Sequence, residues 1–303
     1  MYSKHLAVTG ITGHTGGFFL DSLENAKYNG SIRALVRAGS DLARIDASPL
    51  SIERVVVQLD NESSLLGALE GCDTLVHIAN IGFSEMVVKA AVKCGVRWCI
   101  LVHTTGCFSR FKGASAGYNM IEENLRPMRG RIAITILRPT MIYGTSSDKN
   151  MFKLIDYLYR HRLFPVFGDG RNLMQPVHAR DLGRAYFLVL ANEQVTSNRE
   201  YNLSGGDALS YAEIIQIISA KLGRKRILIR VPIGLSITLA RVYIFLVKKA
   251  KISVEQVMRM QEDKAFGHEE ARRDFGYDPV RFSQGISGEI EEYLALNKRA
   301  QET

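Results

Sequence analysis

The first chemistry legible in the chain is a run of glycines near its amino end. Val8-Thr9-Gly10-Ile11-Thr12-Gly13-His14-Thr15-Gly16-Gly17 follows a short apolar run and opens a segment carrying Phe18, Phe19, Leu20 and Leu23. In a strand–turn–helix setting, Gly10 allows the tight turn, Gly13 lets backbone approach a pyrophosphate, and Gly16 lets the helix press on the sheet. The free N–H groups of such a helix start, with its dipole, meet phosphate charge. Thr12, His14 and Thr15 lie inside the same bend and are counted with it as cofactor contacts. The segment is expected to bind a dinucleotide.

The end of the second apolar run discriminates between dinucleotides. A carboxylate there accepts from the ribose 2′-OH of NAD, whereas an arginine holds the 2′-phosphate of NADP. Here residues 31–36 lead into Arg37, with Arg33 earlier and no carboxylate before Asp41. A guanidinium forks onto a phosphate, so NADP is favoured, with NAD as the alternative. His14 offers a second contact to that phosphate. The bland alternative is that Arg37 is a solvated strand end.

The elements that must hold these residues follow from hydrophobic spacing. Short apolar runs at 6–8, 32–36, 52–58, 74–78, 100–103 and 132–137 lack strict alternation, which suits strands of a parallel sheet covered on both faces. Between them lie helical patterns, clearest in Phe83, Met86, Val87, Ala90, Ala91 and Cys94, a stripe closed by Gly95. Strands alternating with amphipathic helices imply an α/β fold, a doubly wound parallel Rossmann sheet. Cys94 falls on the packing stripe, and Cys72, beside Gly71, reads as structurally indifferent. Past residue 145 the rhythm loosens into a helix at 149–162, a strand and turn at 166–171 and a helix at 179–190. The expected division is a dinucleotide-binding domain over 1–145 with parts of 175–205, and a smaller substrate lobe from 146–174 and 205–303.

Composition bounds the rest. The 303 residues carry 39 basic and 31 acidic side chains, a net charge of +8, with 46% apolar residues, as in an ordinary globular protein. The basic residues read as scattered, without interleaved aromatics, so a nucleic-acid partner is not expected and an anionic cofactor or substrate is. Four cysteines without a CxxC pair point to neither a disulfide scaffold nor zinc. No signal peptide is read at the start, and a cytoplasmic location is the expectation. The apolar segment 231–247, followed by Lys248, Lys249 and Lys251, is too short to span a bilayer and contains Arg241. It reads first as a buried or interface helix, and second as a helix lying on a membrane.

With these pieces in place, the chain resembles an extended short-chain dehydrogenase/reductase, the family of the NAD-dependent epimerases and dehydratases. The motifs are Thr9-Gly10-x-x-Gly13-x-x-Gly16, Gln58-Leu59-Asp60, Val76-His77-Ile78-Ala79-Asn80 and Ile136-Leu137-Arg138-Pro139-Thr140-Met141-Ile142-Tyr143-Gly144. They continue through Phe167-Gly168-Asp169-Gly170, Val177-His178-Ala179-Arg180-Asp181-Leu182, Tyr201-Asn202-Leu203 and 271–279, in the family's order over almost the whole chain. The resemblance implies that Asp60, with Asn61 beside it, binds the adenine end. It also implies that Ala79 and Asn80 line the cofactor path, and that Pro139, Thr140 and Thr104 lie near the nicotinamide. A homodimer through the helices near 84–93 and 117–128 is implied in the same way.

One departure bears on the chemistry. The family's Tyr-x-x-x-Lys pair transfers a proton, the lysine cation lowering the tyrosine pKa, while a Ser or Thr after the fifth strand hydrogen-bonds the reacting oxygen. Thr105 matches that Ser/Thr position. If Tyr118 is the tyrosine, the lysine position holds Glu122; if Glu122 and Glu123 follow the lysine position, Tyr118 occupies it and Ala114 stands for the tyrosine. Neither register supplies the pair, so Thr105 and Tyr118 are the catalytic candidates. Lys112 reads as a solvated loop charge. Met174 stands where sugar-nucleotide members carry a diphosphate-holding Arg, with Arg171 a shifted substitute. Asp181 reads as helix-start stabilisation and lobe packing.

Three functions fit. The first is an NADP-dependent oxidoreductase or epimerase-like enzyme with an altered site, acting on a small or nucleotide-linked substrate. The second is a non-catalytic dinucleotide-sensing regulator or assembly subunit. The third is a membrane-peripheral redox subunit.

Overall fold

The computed structural model describes residues 5–148, 150–246 and 253–302. Its first half contains β1 (Leu6–Thr9), α1 (His14–Asn25), β2 (Ile32–Val36), α2 (Ala43–Asp46), β3 (Ile52–Val56), α3 (Glu62–Leu69), β4 (Thr74–His77), α4 (Ser84–Lys93), β5 (Trp98–Val102), α5 (Lys112–Leu125) and β6 (Ala133–Pro139). The second contains β7 (Ile142–Tyr143), α6 (Met151–Arg160), β8 (Leu163–Phe167), β9 (Leu173–Met174), β10 (Val177–His178), α7 (Ala179–Ala191), α8 (Glu193–Thr196) and β11 (Glu200–Leu203). It ends with β12 (Leu209–Ser210), α9 (Tyr211–Lys221), β13 (Ile227–Val231), α10 (Ile233–Leu246), α11 (Val254–Arg259), α12 (Glu269–Phe275) and α13 (Phe282–Glu302).

Seven parallel strands form the central sheet in the order β11-β6-β5-β4-β1-β2-β3. The order reverses between β1 and β4, and a crevice opens outside the carboxyl ends of strands at such a switch point. Each apolar run became a strand; the interior strands are covered on both faces, while the edge strand β3 leaves Glu53, Arg54 and Val56 exposed. Leu6, Val8, Val76 and Ile100 pack beneath α1 and α7, and Ala7, Leu75, Cys99 and Leu101 pack beneath α3, α4 and α5. The stripe on α4 is buried at Val87, Ala90 and Ala91, and the helix closes at Gly95, whose φ of 75° lets Val96 N bond back to Ala91 O.

A third core lies in the second half, where α6, α9 and α13 meet around Ile155, Leu158, Ile214, Ile218, Phe282 and Ile286. Asp148 starts α6 by accepting from Asn150 N and Met151 N at 2.9 and 2.6 Å, and a capping box between Ser210 and Glu213 starts α9. Helix α12 packs on the central sheet instead, with Phe275 edge-on to Tyr201 at 5.1 Å. Asp181 serves both expected purposes: it lies in the first turn of α7 and accepts from Val280 N at 2.9 Å.

Several readings change. Cys72 is buried in the core beside Leu69 and Leu75 and accepts from Arg33 Nη1 at 3.6 Å, so it is a packing residue. Cys94 is only half-buried at the end of α4, where its Sγ donates to Leu66 O at 3.4 Å. Lys112 is the first residue of α5 and not part of a loop. Helix α10 is not a buried helix: Leu235, Arg241 and Tyr243 are exposed, because α11 is its main neighbour. Lys149, Val247, Lys248, Lys249 and Lys251 lie outside the described residues.

Candidate functional site

The glycine bend sits at the switch point. Gly10 has a φ of 76°, and a Cβ there would stand 2.8 Å from Ala79 N, so only glycine permits this approach of β1 to the turn after β4. A Cβ on Gly16 would stand 2.0 Å from Gly10 O, which fixes the role of the third glycine as packing of α1 on the bend. Helix α1 begins at an N-cap, Gly13, that supplies no side-chain hydrogen bond. Its first-turn amides therefore remain available to an anion.

A cleft of about 690 Å³ opens over this bend. Of the residues expected at the cofactor, it is lined by Gly10, Thr12, Gly13, His14, Thr15, Arg37, Ala79, Asn80, Pro139 and Thr140. Ten residues separated by up to 130 positions in the chain thus converge on one crevice. Burial lowers the pKa of His14 against the opposing charges of Asp148 and Glu292, so its ring faces the cleft neutral at pH 7. His178, behind it, is pushed down to about 4 by burial and by the nearby Arg180.

At one end of the cleft Arg37 is exposed and has no ion-pair partner among the described residues. Arg33 is turned away, bonded to Glu53 and to the carbonyls of Ala68 and Glu70. Asp41 is engaged at Ala43 N, at the start of α2. No carboxylate lines this end of the cleft, which is walled by Val57 and Leu59.

Other expected residues stand elsewhere. Asp60 is exposed and does not line the cleft, while Asn61 caps α3 by accepting from Ser64 N at 3.1 Å. Thr104 and Thr105 line a second cavity of about 490 Å³, which shares Thr140, Met141 and Asn150 with the cleft as lining residues. The Thr105 hydroxyl donates to Pro139 O at 3.2 Å and keeps its lone pairs for a ligand. Tyr118 lines neither cavity; the edge of its ring lies 3.1 Å from the position a Cβ on Gly106 would take.

Glu122 explains why no dyad forms in the first register. Its carboxylate is inside the protein, accepting from Arg138 Nε and Nη2 at 2.9 and 2.6 Å and facing His103 Nδ1 at 3.0 Å. Burial works against this charge, but the hydrogen bonds and charges of His103 and Arg138 prevail and hold the carboxyl down to about 2. Arg138 extends the network to Glu200, and His103 Nε2 lies 3.1 Å from Ser84 Oγ. The carboxylate is committed to the junction of α5, β6 and β11.

Residues the sequence did not single out complete the second cavity. Arg259 and Lys264 line it, and the carboxylates beside them are engaged elsewhere: Glu262 with Ser109 and Arg110 N, Asp263 with Leu173 N. Arg259 Nε is buried without a hydrogen-bond partner among the described residues. Burial, with the charge of Arg259, lowers the Lys264 pKa. A third chamber of about 310 Å³ adjoins, lined by Met141, Met151, Met174, Met260, Leu154 and Ile214 together with Lys264. No short motif announces Arg259 or Lys264, because the end of α11 and the segment after it, more than eighty residues beyond β9, bring them to a cavity shared with Met174, to which Lys264 is bridged.

A glycine bend at the switch point of a doubly wound sheet, opening into a cleft with a second lobe over it, defines a dinucleotide-binding Rossmann protein. The model of the NAD dependent epimerase/dehydratase family matches residues 118–204. Short-chain dehydrogenase/reductase family 42E member 1 of Mus musculus is 25% identical over 172 residues, 50% of this chain and 42% of that protein. Sterol demethylase protein B of Methylococcus capsulatus is 32% identical over 114 residues, 32% of this chain and 33% of that protein. The chain thus spans less than half the length of these curated relatives. Among solved structures, UDP-glucuronic acid 4-epimerase of Bacillus cereus superposes with a TM-score of 0.74 at 16% identity, covering 96% of this chain and 99% of that one. A nucleoside-diphosphate-sugar epimerase of Pseudomonas aeruginosa gives 0.77 at 16% identity, covering 97% and 99%. Over residues 118–204 the chain is thus similar to the NAD dependent epimerase/dehydratase family, and its fold is that of these solved structures.

Proposed function

We propose that the protein is an NADP-dependent oxidoreductase or epimerase-like enzyme whose proton-transfer group has moved away from α5. The observation that carries this reading is that the glycine-bend cleft and two further chambers meet at common walls, Met141 and Asn150. A bound nicotinamide nucleotide would supply or accept the hydride. Arg37 supports NADP over NAD, since among the described residues its guanidinium has no ion-pair partner and no carboxylate lines that end of the cleft. The chain's own task is to orient the substrate and hold a proton. The Thr105 hydroxyl, its proton engaged by Pro139 O, is placed to accept from a substrate hydroxyl. Lys264 lines both further chambers with no ion-pair partner among the described residues.

The four methionines of the third chamber, with Leu154 and Ile214, favour a substrate with an apolar body, since thioethers adapt to irregular apolar shapes, while Asn150, Asn172 and Tyr211 of the same lining offer it polar contacts. Met174 in place of a diphosphate anchor points the same way. One relative is named as a sterol demethylase protein, and an apolar substrate of that general kind suits this lining. A second reading, a non-catalytic dinucleotide sensor, is favoured by the commitment of Glu122 to Arg138 and by the position of Tyr118 outside both cavities.

Fluorescence titration with NADPH and NADH, followed by NADPH oxidation with a panel of apolar ketones and of nucleotide sugars, tests the proposal. Turnover of a ketone that falls roughly 10²–10⁴-fold in Lys264→Met is expected for a lost proton donor. Cofactor binding without turnover of any panel member would favour the sensor, and turnover confined to nucleotide sugars would remove the apolar-substrate reading.

A further inference from the structure

Strands β8 and β13 pair in parallel and in register, Leu163 with Ile227, Pro165 with Ile229 and Phe167 with Val231. Alternate residues of a strand share a face, so these six apolar side chains form one side of the ribbon, while Phe164, Val166 and Leu228 turn toward the core of the second half. The outer side is uncovered: Leu163, Ile227 and Ile229 are 50, 49 and 44% exposed. Helix α10 starts two residues after β13 and carries apolar residues all round, IGLSITLARVYIFL, a pattern that belongs inside protein or against lipid. Protein does not cover it at Leu235 or Tyr243, which are 51 and 41% exposed.

The charge of this region has one sign. Residues 214–254 contain nine basic side chains and no acidic one, so the other residues hold 30 basic and 31 acidic and the surplus of the whole chain lies here. The basic residues are therefore not scattered, contrary to the reading of the sequence alone. Arg162 and Lys225 are exposed just before the two strands, and Arg230, in register with Val166, is exposed on the other side of the ribbon. Arg224 and Arg226 are bonded to the carbonyls of Tyr159 and Leu158, and neither meets a carboxylate among the described residues. Lys248, Lys249 and Lys251 enter only the count.

We propose that the outer side of the β8–β13 ribbon, with α10, docks the protein on an anionic lipid bilayer. Apolar side chains rimmed by cations are what such an interface selects: the former enter the headgroup boundary and the latter meet lipid phosphates and carboxylates. A second copy of the chain on the same face would set this cationic stretch against itself, which a two-fold contact cannot relieve. Helix α10 has 14 residues, about 21 Å at 1.5 Å per residue, and so lies along a bilayer whose hydrocarbon is about 30 Å thick without crossing it. Among the described residues no helix is long and apolar enough to cross a membrane.

Flotation of the full chain with vesicles tests this, one set of phosphatidylcholine alone and one of equimolar phosphatidylcholine and phosphatidylserine. The protein is expected to float with the second set at low salt, weakly with the first, and less as salt rises. The pair Ile227→Ser and Ile229→Ser removes flotation, and the triple Arg162→Gln, Lys225→Gln, Arg230→Gln lowers partitioning about a hundredfold or more. Fluorescence titration with NADPH, unchanged in both variants, shows that they are folded. No flotation of the unaltered chain, or flotation untouched by the serine pair, overturns the proposal. So does self-association in sedimentation that the serine pair abolishes without any flotation, which assigns the face to a second copy. None of these readouts depends on catalysis.

Discussion

Arg138 on β6 grips both carboxylate oxygens of Glu122 on α5, at 2.9 and 2.6 Å, four residues along the helix from Tyr118. The position that would carry a cation beside a tyrosine carries instead the anion of a buried ion pair. That pair ties α5 to the sheet, and Glu200 of β11 accepts from the same guanidinium at 2.6 Å. Glu122→Lys therefore does not rebuild a proton-transfer pair. It sets a new cation against Arg138 and His103, and should cost roughly 3–5 kcal/mol of stability, the range for breaking a buried pair. Urea unfolding at pH 7 measures this, with Glu122→Gln expected to cost less. An unchanged midpoint for the lysine variant would show that the pair does not hold these elements together.

Arg37 makes a sharper prediction about the cofactor. With no ion-pair partner among the described residues, its guanidinium loses no bond on meeting a 2′-phosphate. A hydrogen bond to a charged group contributes about 1.5–3 kcal/mol, so Arg37→Ala should weaken NADPH about 10- to 100-fold and leave NADH nearly unchanged. Calorimetry with both nucleotides decides it, and equal losses for the two would assign Arg37 to some other part of the ligand.

The sequence made the cofactor end of the fold legible because its determinants are local. Gly10, Gly13 and Gly16 lie within seven residues, and the strands on either side of the switch point are short, apolar and covered on both faces. The substrate end was not legible. Lys264 reaches its cavity through a bridge to Met174, ninety positions away, and nothing near residue 264 marks it. Glu122 looked like a misplaced charge beside a phenol because Arg138 and His103 come from other elements. The apolar ribbon stayed hidden for the same reason: 163–167 and 227–231 are unremarkable separately, and only their pairing in register places six apolar residues on one side.

Burial sets the acid side of the stability profile. His77 is fully buried, with Thr9 Oγ1 2.7 Å from its Nδ1, and burial, helped by the nearby His103, pushes its pKa from 6.5 down to about 4. A base whose folded pKa is depressed favours folding above its unfolded pKa, and that contribution is lost as pH falls from 6.5 toward 4. The loss should amount to about 3 kcal/mol. His77→Asn should flatten this part of the profile in urea titrations at pH 6.5, 5 and 4. His178, also pushed down to about 4, titrates in the same window, so the slope should lessen without vanishing, while Glu122 acts only lower, between 4.5 and about 2. A variant as steep as the unaltered chain would remove His77 from the titration.

Glu289 sets the basic side, with the opposite sign. It lies on α13 with no exposed surface; Oε2 accepts from Gly144 N at 2.7 Å, and Oε1 has no partner among the described residues. Burial dominates the single N–H that favours the anion, and Asp148 and Glu292 reinforce it, so the pKa rises from 4.5 to about 8. An acid whose folded pKa is raised favours folding below its unfolded pKa, and the advantage fades as pH rises from 4.5 through 8. Glu289→Gln removes the titration while keeping an acceptor for Gly144 N. The variant should therefore be nearly neutral at pH 5 and more stable than the unaltered chain at pH 8.5, by roughly 1–3 kcal/mol once the amide's own unpaired N–H is allowed for. Urea midpoints at the two values separate this from a general packing effect, which would move both equally. Because His77 controls only the region below 6.5, the substitution should also broaden the stability maximum toward higher pH and leave its acid edge in place.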